Sequence, residues 1–462
     1  MCINIAIGRE AAAENRILVS RNEDCGRNHW SRYVAYRSEP EYASGRVVRD
    51  GMWTLGNGLR VAVPKTRFAY SAMPSAAAPG ETPRHLHEGR GINENNVAVS
   101  TTGTLQINAL ANAIDPLLAE GGIDGSIIPT LILPQALTAR HGVELLGTYL
   151  QKHGAGEARG VIVADPFEAW YLENGSAHHW IAVRIPADSY LVVANGLRIH
   201  GIDLYGPDVL HSAGLFEFVA EYRLLERPDR RRFDFAQAFG VPETSHGLDR
   251  IWLAQKYLTP SLQQGPRQPQ YPLFLKPDGE LCVTDVMAVL RAACQWMELE
   301  GRPPRPGAPR RTAESHIICL NAKMPTELQG LIWQAIGTPL GAPYLPLYHA
   351  LQEIPHELGM NAPPQEGNSA YRAFGELFSL AGSAGPGALA ALQAVWQEQE
   401  RELVFQQRHL ESMLLSMYHQ SPQNAVAFAQ HYSTGSILQL VEKAHRERHR
   451  LLNGRPDGTD DA

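Results

Sequence analysis

The amino-acid sequence predicts an α+β fold built in layers. Short runs rich in β-branched and aromatic residues crowd between Gly160 and Asn195, and only a few residues link one to the next. Longer segments with helical spacing lie on either side of this block. Strands joined by such short links are expected to be antiparallel neighbours, because a parallel pair needs a crossover of about a dozen residues or more.

The elements follow in order. Residues 3–7 read as a strand, and residues 17–20 as a second strand returning antiparallel to it through a turn over 9–16. Residues 97–101 form a third candidate. Residues 138–153 have helical spacing, with Val143, Leu145, Leu146 and Leu150 apolar. The central block divides into strands 161–164, 169–173, 180–184 and 190–194. Asp165-Pro166, Asn174-Gly175-Ser176 and Pro186-Ala187-Asp188 separate them, each a turn signal. Beyond Asn195, residues 208–226 and 284–297 read as amphipathic helices and 316–320 and 331–336 as further strands. The Pro/Arg-rich stretch 301–311 reads as an exposed connection. After a loop through 363–367 the chain turns helical over 389–418, and Ser421-Pro422 has the cap-then-proline form of a helix start. The tail 453–462 is acidic and nearly without apolar residues, so fraying is expected.

Composition narrows the function classes. The chain has 462 residues, 44% hydrophobic and 19% charged, which suits a large core and excludes a disordered chain. With 41 Lys+Arg against 48 Asp+Glu, the net charge is −7, and nucleic-acid binding as the main task is not expected. Five cysteines and no CxxC pair do not make a disulfide framework, so a reduced, cytoplasmic setting is expected. The first eight residues are too short and too interrupted by Asn4 for a signal peptide, and no stretch reads as a membrane span. Cys2 stands where myristoylation would need glycine.

Several common catalytic motifs are missing: no GxxxxGK[ST] loop, HExxH helix, GxSxG elbow or complete GxGxxG. Gly56-Asn57-Gly58 reads as a plain turn. His85-Leu86-His87-Glu88 and His178-His179 lack a distant ligand set, and neither a metal nor another cofactor is expected.

Cys2 remains. On removal of Met1, which a small second residue permits, one residue carries both a thiol and a free α-amino group. An amine with an unperturbed pKa of about 7.7–8.0 can take the thiol's proton, so no separate histidine is needed. On position alone, a cysteine opening an apolar strand is more often a small buried hydrophobe. The next segment changes that balance. A hairpin of strands 3–7 and 17–20 brings Ser20-Arg21-Asn22-Glu23-Asp24 to the end beside Cys2. Arg21 there favours thiolate by opposite charge, and Asp24 orients the amine or holds its ammonium form. The same pair could equally be a structural salt bridge. Cys25, next in sequence, is expected to pack.

At these residues the sequence resembles the cysteine dipeptidases of the N-terminal-nucleophile hydrolase superfamily, the dipeptidase A type, to which the secernins are related. The likeness extends through Asn93-Glu94, Val97-Ala98-Val99-Ser100, Asp115-Pro116-Leu117 and Gly121-Gly122-Ile123. It continues in Ala164-Asp165, Glu168-Ala169-Trp170-Tyr171 and Val192-Val193-Ala194-Asn195. Later blocks are Lys276-Pro277-Asp278, the run from Asp285 to Arg291, Arg311-Thr312 and Glu314-Ser315-His316. The resemblance implies an αββα sandwich of two antiparallel sheets flanked by helices, with a catalytic core over 1–360 carrying insertions and a helical extension over 365–452. It implies metal-independent hydrolysis of dipeptides with Cys2 as nucleophile, Arg21 and Asp24 beside it, and Asn195 donating to the oxyanion. No pro-segment precedes Cys2, so activation is expected to need only loss of Met1.

Asn195 also has a physical case, since an amide at the end of a core strand can donate to a tetrahedral intermediate. A turn asparagine stabilising the strand end is the plainer alternative. A second donor could come from the backbone near Thr102-Gly103-Thr104, where Gly103 permits close approach. Arg250 is matched with another superfamily arginine. Arg198 is a candidate for bidentate binding of the substrate carboxylate, against the plainer reading of an ordinary exposed arginine. The same catalytic set serves amidases acting on N-acyl amino acids, and a non-catalytic secernin-like scaffold is the third reading. The apolar faces of the C-terminal helices are available for the core or for contacts in a homo-oligomer.

Overall fold

The computed structural model describes residues 2–24, 32–38, 48–55, 57–65, 67–74, 88–300, 312–349, 353–359 and 369–453. Met1, Cys25, Gly56, His85-Leu86-His87, the 301–311 connection, the 363–367 loop and the tail beyond 453 lie outside them.

The strands in chain order are β1 (Ile3–Ile7), β2 (Ile17–Asp24), β3 (Ala35–Arg37), β4 (Val48–Arg49), β5 (Met52–Thr54), β6 (Arg60–Ala62), β7 (Tyr70–Pro74), β8 (Glu88–Asn93) and β9 (Ala98–Thr104). There follow β10 (Arg159–Ala164), β11 (Ala169–Asn174), β12 (Trp180–Arg184), β13 (Tyr190–Val193), β14 (Val209–His211), β15 (Phe274–Leu275), β16 (Thr312–Leu320), β17 (Gly330–Ile336) and β18 (Leu345–Tyr348). The helices are α1 (Ala109–Ile114), α2 (Ile128–Ile132), α3 (Ala139–His153), α4 (Leu215–Glu221), α5 (Phe235–Phe239), α6 (Ser245–Leu258), α7 (Val283–Glu300), α8 (Ala370–Ala384), α9 (Pro386–Gln420) and α10 (Pro422–Asn453).

Two antiparallel sheets face each other. The first has the order β15-β13-β1-β2-β16-β17-β18, and the second β14-β12-β11-β10-β9-β8-β7-β3. They meet where β1 and β2 pack on β9 and β10. Helices α2 and α3 cover the outer face of the second sheet, and α6 and α7 the outer face of the first. This is the four-layer αββα sandwich expected above. The C-terminal helices α8 to α10 pack on one another and on β17 and β18. None of the described helices is long and apolar enough to cross a membrane.

Strand periodicity divides the central block between two cores. Ile162, Ala164, Ala169 and Tyr171 point into the sandwich. Their neighbours Val161, Val163, Trp170 and Leu172 point outward beneath α2 and α3. Strands buried on both faces therefore read as continuous apolar runs rather than alternating ones. Helix α3 starts at the Thr138 cap, whose side chain accepts from the His141 N–H, and its Val143, Leu146 and Leu150 are buried. Gly147 on the same face lies so close to Trp180 that an added Cβ would overlap the indole ring. Gly147→Ala is therefore expected to cost about 1–3 kcal/mol, because overpacking outweighs alanine's better helix propensity. A denaturation midpoint equal to that of the wild type would contradict this.

Three expectations need correction. The segment Ser20–Asp24 does not follow the second strand but is part of it. β2 runs to Asp24, bonded on one side to β1 (Ile3 opposite Asn22) and on the other to β16 (His316 opposite Arg21). Second, β13 is not the hairpin partner of β12. The Pro186–Asp188 link carries the chain across to the other sheet, where β13 pairs with β1. Gly8 allows this crossing, because a side chain there would collide with the carbonyls of Pro186 and Ala187. Third, 208–226 is not one helix. Val209–His211 adds to β12 as an edge strand, and α4 begins only after Gly214, whose φ is 72°.

Candidate active site

The site lies where β1 and β2 of the first sheet face β9 of the second. Cys2 leads into β1 and is only 3% exposed. Across the β1–β2 ladder, alternation sends Arg21 inward and Asn22 outward. Arg21 reaches the second sheet, its Nη1 donating to Gly89 O at 3.3 Å and its Nη2 lying 3.7 Å from Cys2 Sγ. Asn22 donates instead to Leu290 O on α7 at 2.9 Å. Burial works against the charge on Arg21, yet Glu23, 3.6 Å away, and then the Cys2 sulfur hold its pKa above the usual arginine value.

Asp24 ends β2 and is 4% exposed. Its Oδ1 accepts from Thr312 Oγ1 at 2.6 Å. Burial raises its pKa, opposed first by the charge of Arg250 and then by the Thr312 hydrogen bond. Arg250, on α6, donates from Nη1 to Cys2 O and to Asn195 Oδ1, each at 3.2 Å.

Asn195 lies two residues beyond β13. Its Oδ1 accepts both from Arg250 and from the Cys2 backbone N–H, at 3.2 Å. Two donors aimed at one atom identify it as the oxygen and leave Nδ2 as the outward donor. Gly103 forms the opposite wall. It sits in a β-bulge, where Thr102 and Gly103 together oppose Gly160 between the pairs Thr101–Val161 and Thr104–Arg159. A Cβ on Gly103 would lie 2.6 Å from Asn195 Nδ2 and 3.1 Å from Cys2 Sγ. The missing side chain thus leaves a small space bordered by a thiol and an amide donor, the two groups that acyl transfer requires.

Five of the sequence candidates therefore surround Cys2 or its partners: Arg21, Asp24, Gly103, Asn195 and Arg250. Arg198 is turned away. It is 5% exposed, and its Nη2 donates to the carbonyls of Tyr271 and Pro272 at 3.1 and 2.9 Å, with no hydrogen bond to Cys2 or Asn195. It is not the exposed residue considered above, and its Nη2 is committed to backbone carbonyls. Sequence reasoning assigned no role to Glu173, or to Tyr171 beyond its place in a family-like block; the two hold the backbone beyond Asn195. Their signal was a carboxylate at an inward position of an apolar strand, two residues from a tyrosine on the same face. His178 pairs with Asp115 at 2.7 Å and His179 with Ser212 at 3.1 Å. Among the described residues no three His, Cys, Asp or Glu side chains cluster so as to hold a metal ion.

Comparison with known proteins follows the same lines. The profile of peptidase family C69 matches residues 1–384. A probable dipeptidase of Salmonella dublin is 32% identical over 368 residues, covering 76% of this chain and 81% of that protein. A probable dipeptidase of Latilactobacillus sakei is 31% identical over 364 residues, covering 75% and 74%. Likeness to solved structures is weaker. The Caenorhabditis elegans N-acylethanolamine-hydrolyzing acid amidase ortholog matches 69% of this chain and 92% of its own, at 13% identity and a TM-score of 0.32. The layer order rests on the sheets described above.

Proposed function

The chain belongs to peptidase family C69, and from that membership we propose that it hydrolyses dipeptides through the thiolate of Cys2, freed by removal of Met1. The observation that carries this reading is the enclosure of Cys2 by a guanidinium 3.7 Å from Sγ and by an asparagine whose Oδ1 is occupied by Cys2 N and Arg250. In a chain that begins at Met1, Cys2 N is a peptide nitrogen. It occupies the place of the α-amino group in a chain that begins at Cys2.

The chemistry runs as follows in the mature chain. The neutral α-amine takes the proton of the Cys2 thiol, and Arg21 stabilises the thiolate. The sulfur attacks the peptide carbonyl carbon, and Asn195 Nδ2 donates to the oxygen as it gains charge. The C–N bond breaks, the α-ammonium gives its proton to the departing amine, and a thioester remains on Cys2. The amine then draws a proton from water, whose oxygen attacks the thioester, and the acid and the thiol are released. Arg250 holds Cys2 O and Asn195 Oδ1 in place throughout.

A panel of dipeptides matched with N-acyl amino acids of the same residues tests the reading, on protein whose N-terminal mass has been read. Dipeptides are expected to be favoured by at least about tenfold in kcat/KM. Preference for the N-acyl compounds would make the protein an amidase. Retained Met1 with no turnover of either class would leave a non-catalytic scaffold.

A further inference from the structure

The segment that carries Asn195 has no strand partner. β13 ends at Val193, and residues 194–200 run irregularly, with Ala194 and 196–199 buried. Buried backbone N–H groups require acceptors. One carboxylate supplies two of them: Glu173, on β11 of the opposite sheet, accepts from Arg198 N at 2.6 Å through Oε1 and from Ile199 N at 3.1 Å through Oε2. Tyr171, on the same face of β11, donates its hydroxyl to Oε1 at 2.9 Å. Glu173 and Tyr171 are both fully buried. This is a built contact between the two sheets, just beyond the residue whose amide faces Cys2.

We propose that Glu173, supported by Tyr171, is a positioning residue for the oxyanion donor: it clamps the 198–199 backbone to the second sheet and so sets where Asn195 Nδ2 points. The proposal rests on the Cys2 mechanism above and deepens it. Three donors converge on Glu173, and an ionised carboxylate has acceptors for all of them. A glutamine has one acceptor oxygen, and its NH2 would confront one of the backbone N–H groups. Charge enters as well. Burial pushes the Glu173 carboxyl up to about 7, against the pull of the Ile199, Arg198 and Tyr171 donors. The charged and titratable groups facing it are Tyr171 on β11 and Arg198 on the clamped segment. Arg198 in turn faces Glu243, ahead of α6, and Tyr271. Above neutrality the carboxylate accepts from all three donors; below it the added proton weakens the clamp.

The test is kinetics of the mature protein on a good dipeptide across pH, with crystal structures of the variants. In Glu173→Gln, kcat is expected to fall about 10²-fold, as for a catalytic group displaced by about an ångström, while KM stays within about threefold. Alkylation of Cys2 by iodoacetamide, which needs no oxyanion donor, is expected to stay within about twofold of wild type. The acid limb of kcat/KM, steeper than one proton in the wild type, is expected to relax to one proton, that of the α-amine. Tyr171→Phe, which keeps the clamp, is expected to move the Glu173 bend upward by about one pH unit, because the carboxylate loses a donor.

Unchanged kcat in Glu173→Gln, or alkylation falling in step with kcat, would overturn the proposal. If that variant does not fold, Tyr171→Phe decides, and an unmoved bend overturns it. Wild-type protein that alkylates at Cys2 but hydrolyses no dipeptide would refute the proposed function instead. The clamp is then judged by the Glu173→Gln crystal structure, in which an Asn195 side chain left in place overturns it.

Discussion

Cys2→Ala is expected to abolish dipeptide hydrolysis, with a loss of at least about 10⁴-fold in kcat/KM, because covalent catalysis loses its only nucleophile. Alanine is also small, so removal of Met1 should be unaffected and the α-amino group should still form. The cost to the fold is slight. Cys2 precedes β1 rather than lying within it, and its backbone ties to Asn195 and Arg250 run through N and O, which alanine retains. The variant should therefore melt with the wild type and still bind substrate. Steady-state kinetics beside a thermal melt separates these effects. Residual turnover within about tenfold of wild type would remove Cys2 from the mechanism.

Changing Asn195 is expected to produce a loss at least as large as that of Glu173→Gln, because it removes the donor itself. Asn195→Ala removes the Nδ2 donor together with the acceptor shared by Cys2 N and Arg250. Loss of one oxyanion donor typically costs about 3 kcal/mol, or roughly 10²-fold in kcat. Asn195→Asp tells donor from acceptor. It keeps an oxygen for Cys2 N and Arg250 but places negative charge where Nδ2 stood, beside an oxygen that is itself becoming negative. Its kcat is expected to fall at least as far as that of the alanine variant. An aspartate variant that turns over like wild type would show that Nδ2 does not serve the oxyanion and that the residue acts only through Oδ1.

The strands were legible wherever period and turn chemistry agreed. Ile3–Ile7 and Trp180–Arg184 are found with the expected bounds, and the strands around 161–164 and 169–173 extend theirs by one or two residues. The continuation of β2 through Arg21, Glu23 and Asp24 was not legible as strand. Charged residues are seldom buried, and the partners that allow it here, Gly89 O and Cys2 Sγ for Arg21 and Thr312 Oγ1 for Asp24, come from other segments of the chain and meet β2 only in the fold. The crossing after β12 was hidden for a different reason. A three-residue link suits a hairpin as well as a passage between layers, and what decides is the close fit of Gly8 against Pro186 and Ala187.

The sequence by itself determined the candidate groups: a cysteine at position 2, an arginine and aspartate one hairpin later, and ordered blocks that resemble one family. It determined the layered α+β class as well, because β-branched runs, turn residues and helical spacing act over a few residues each. Only the tertiary structure decided which of the candidates meet. Arg250 reaches Cys2 O and Asn195 from a helix far along the chain, while Arg198, three residues from Asn195, turns to Tyr271 and Pro272. Glu173 entered from the opposite sheet. Nearness in sequence does not fix where a side chain points, and contacts between sheets depend on how two whole layers pack, which no local pattern encodes.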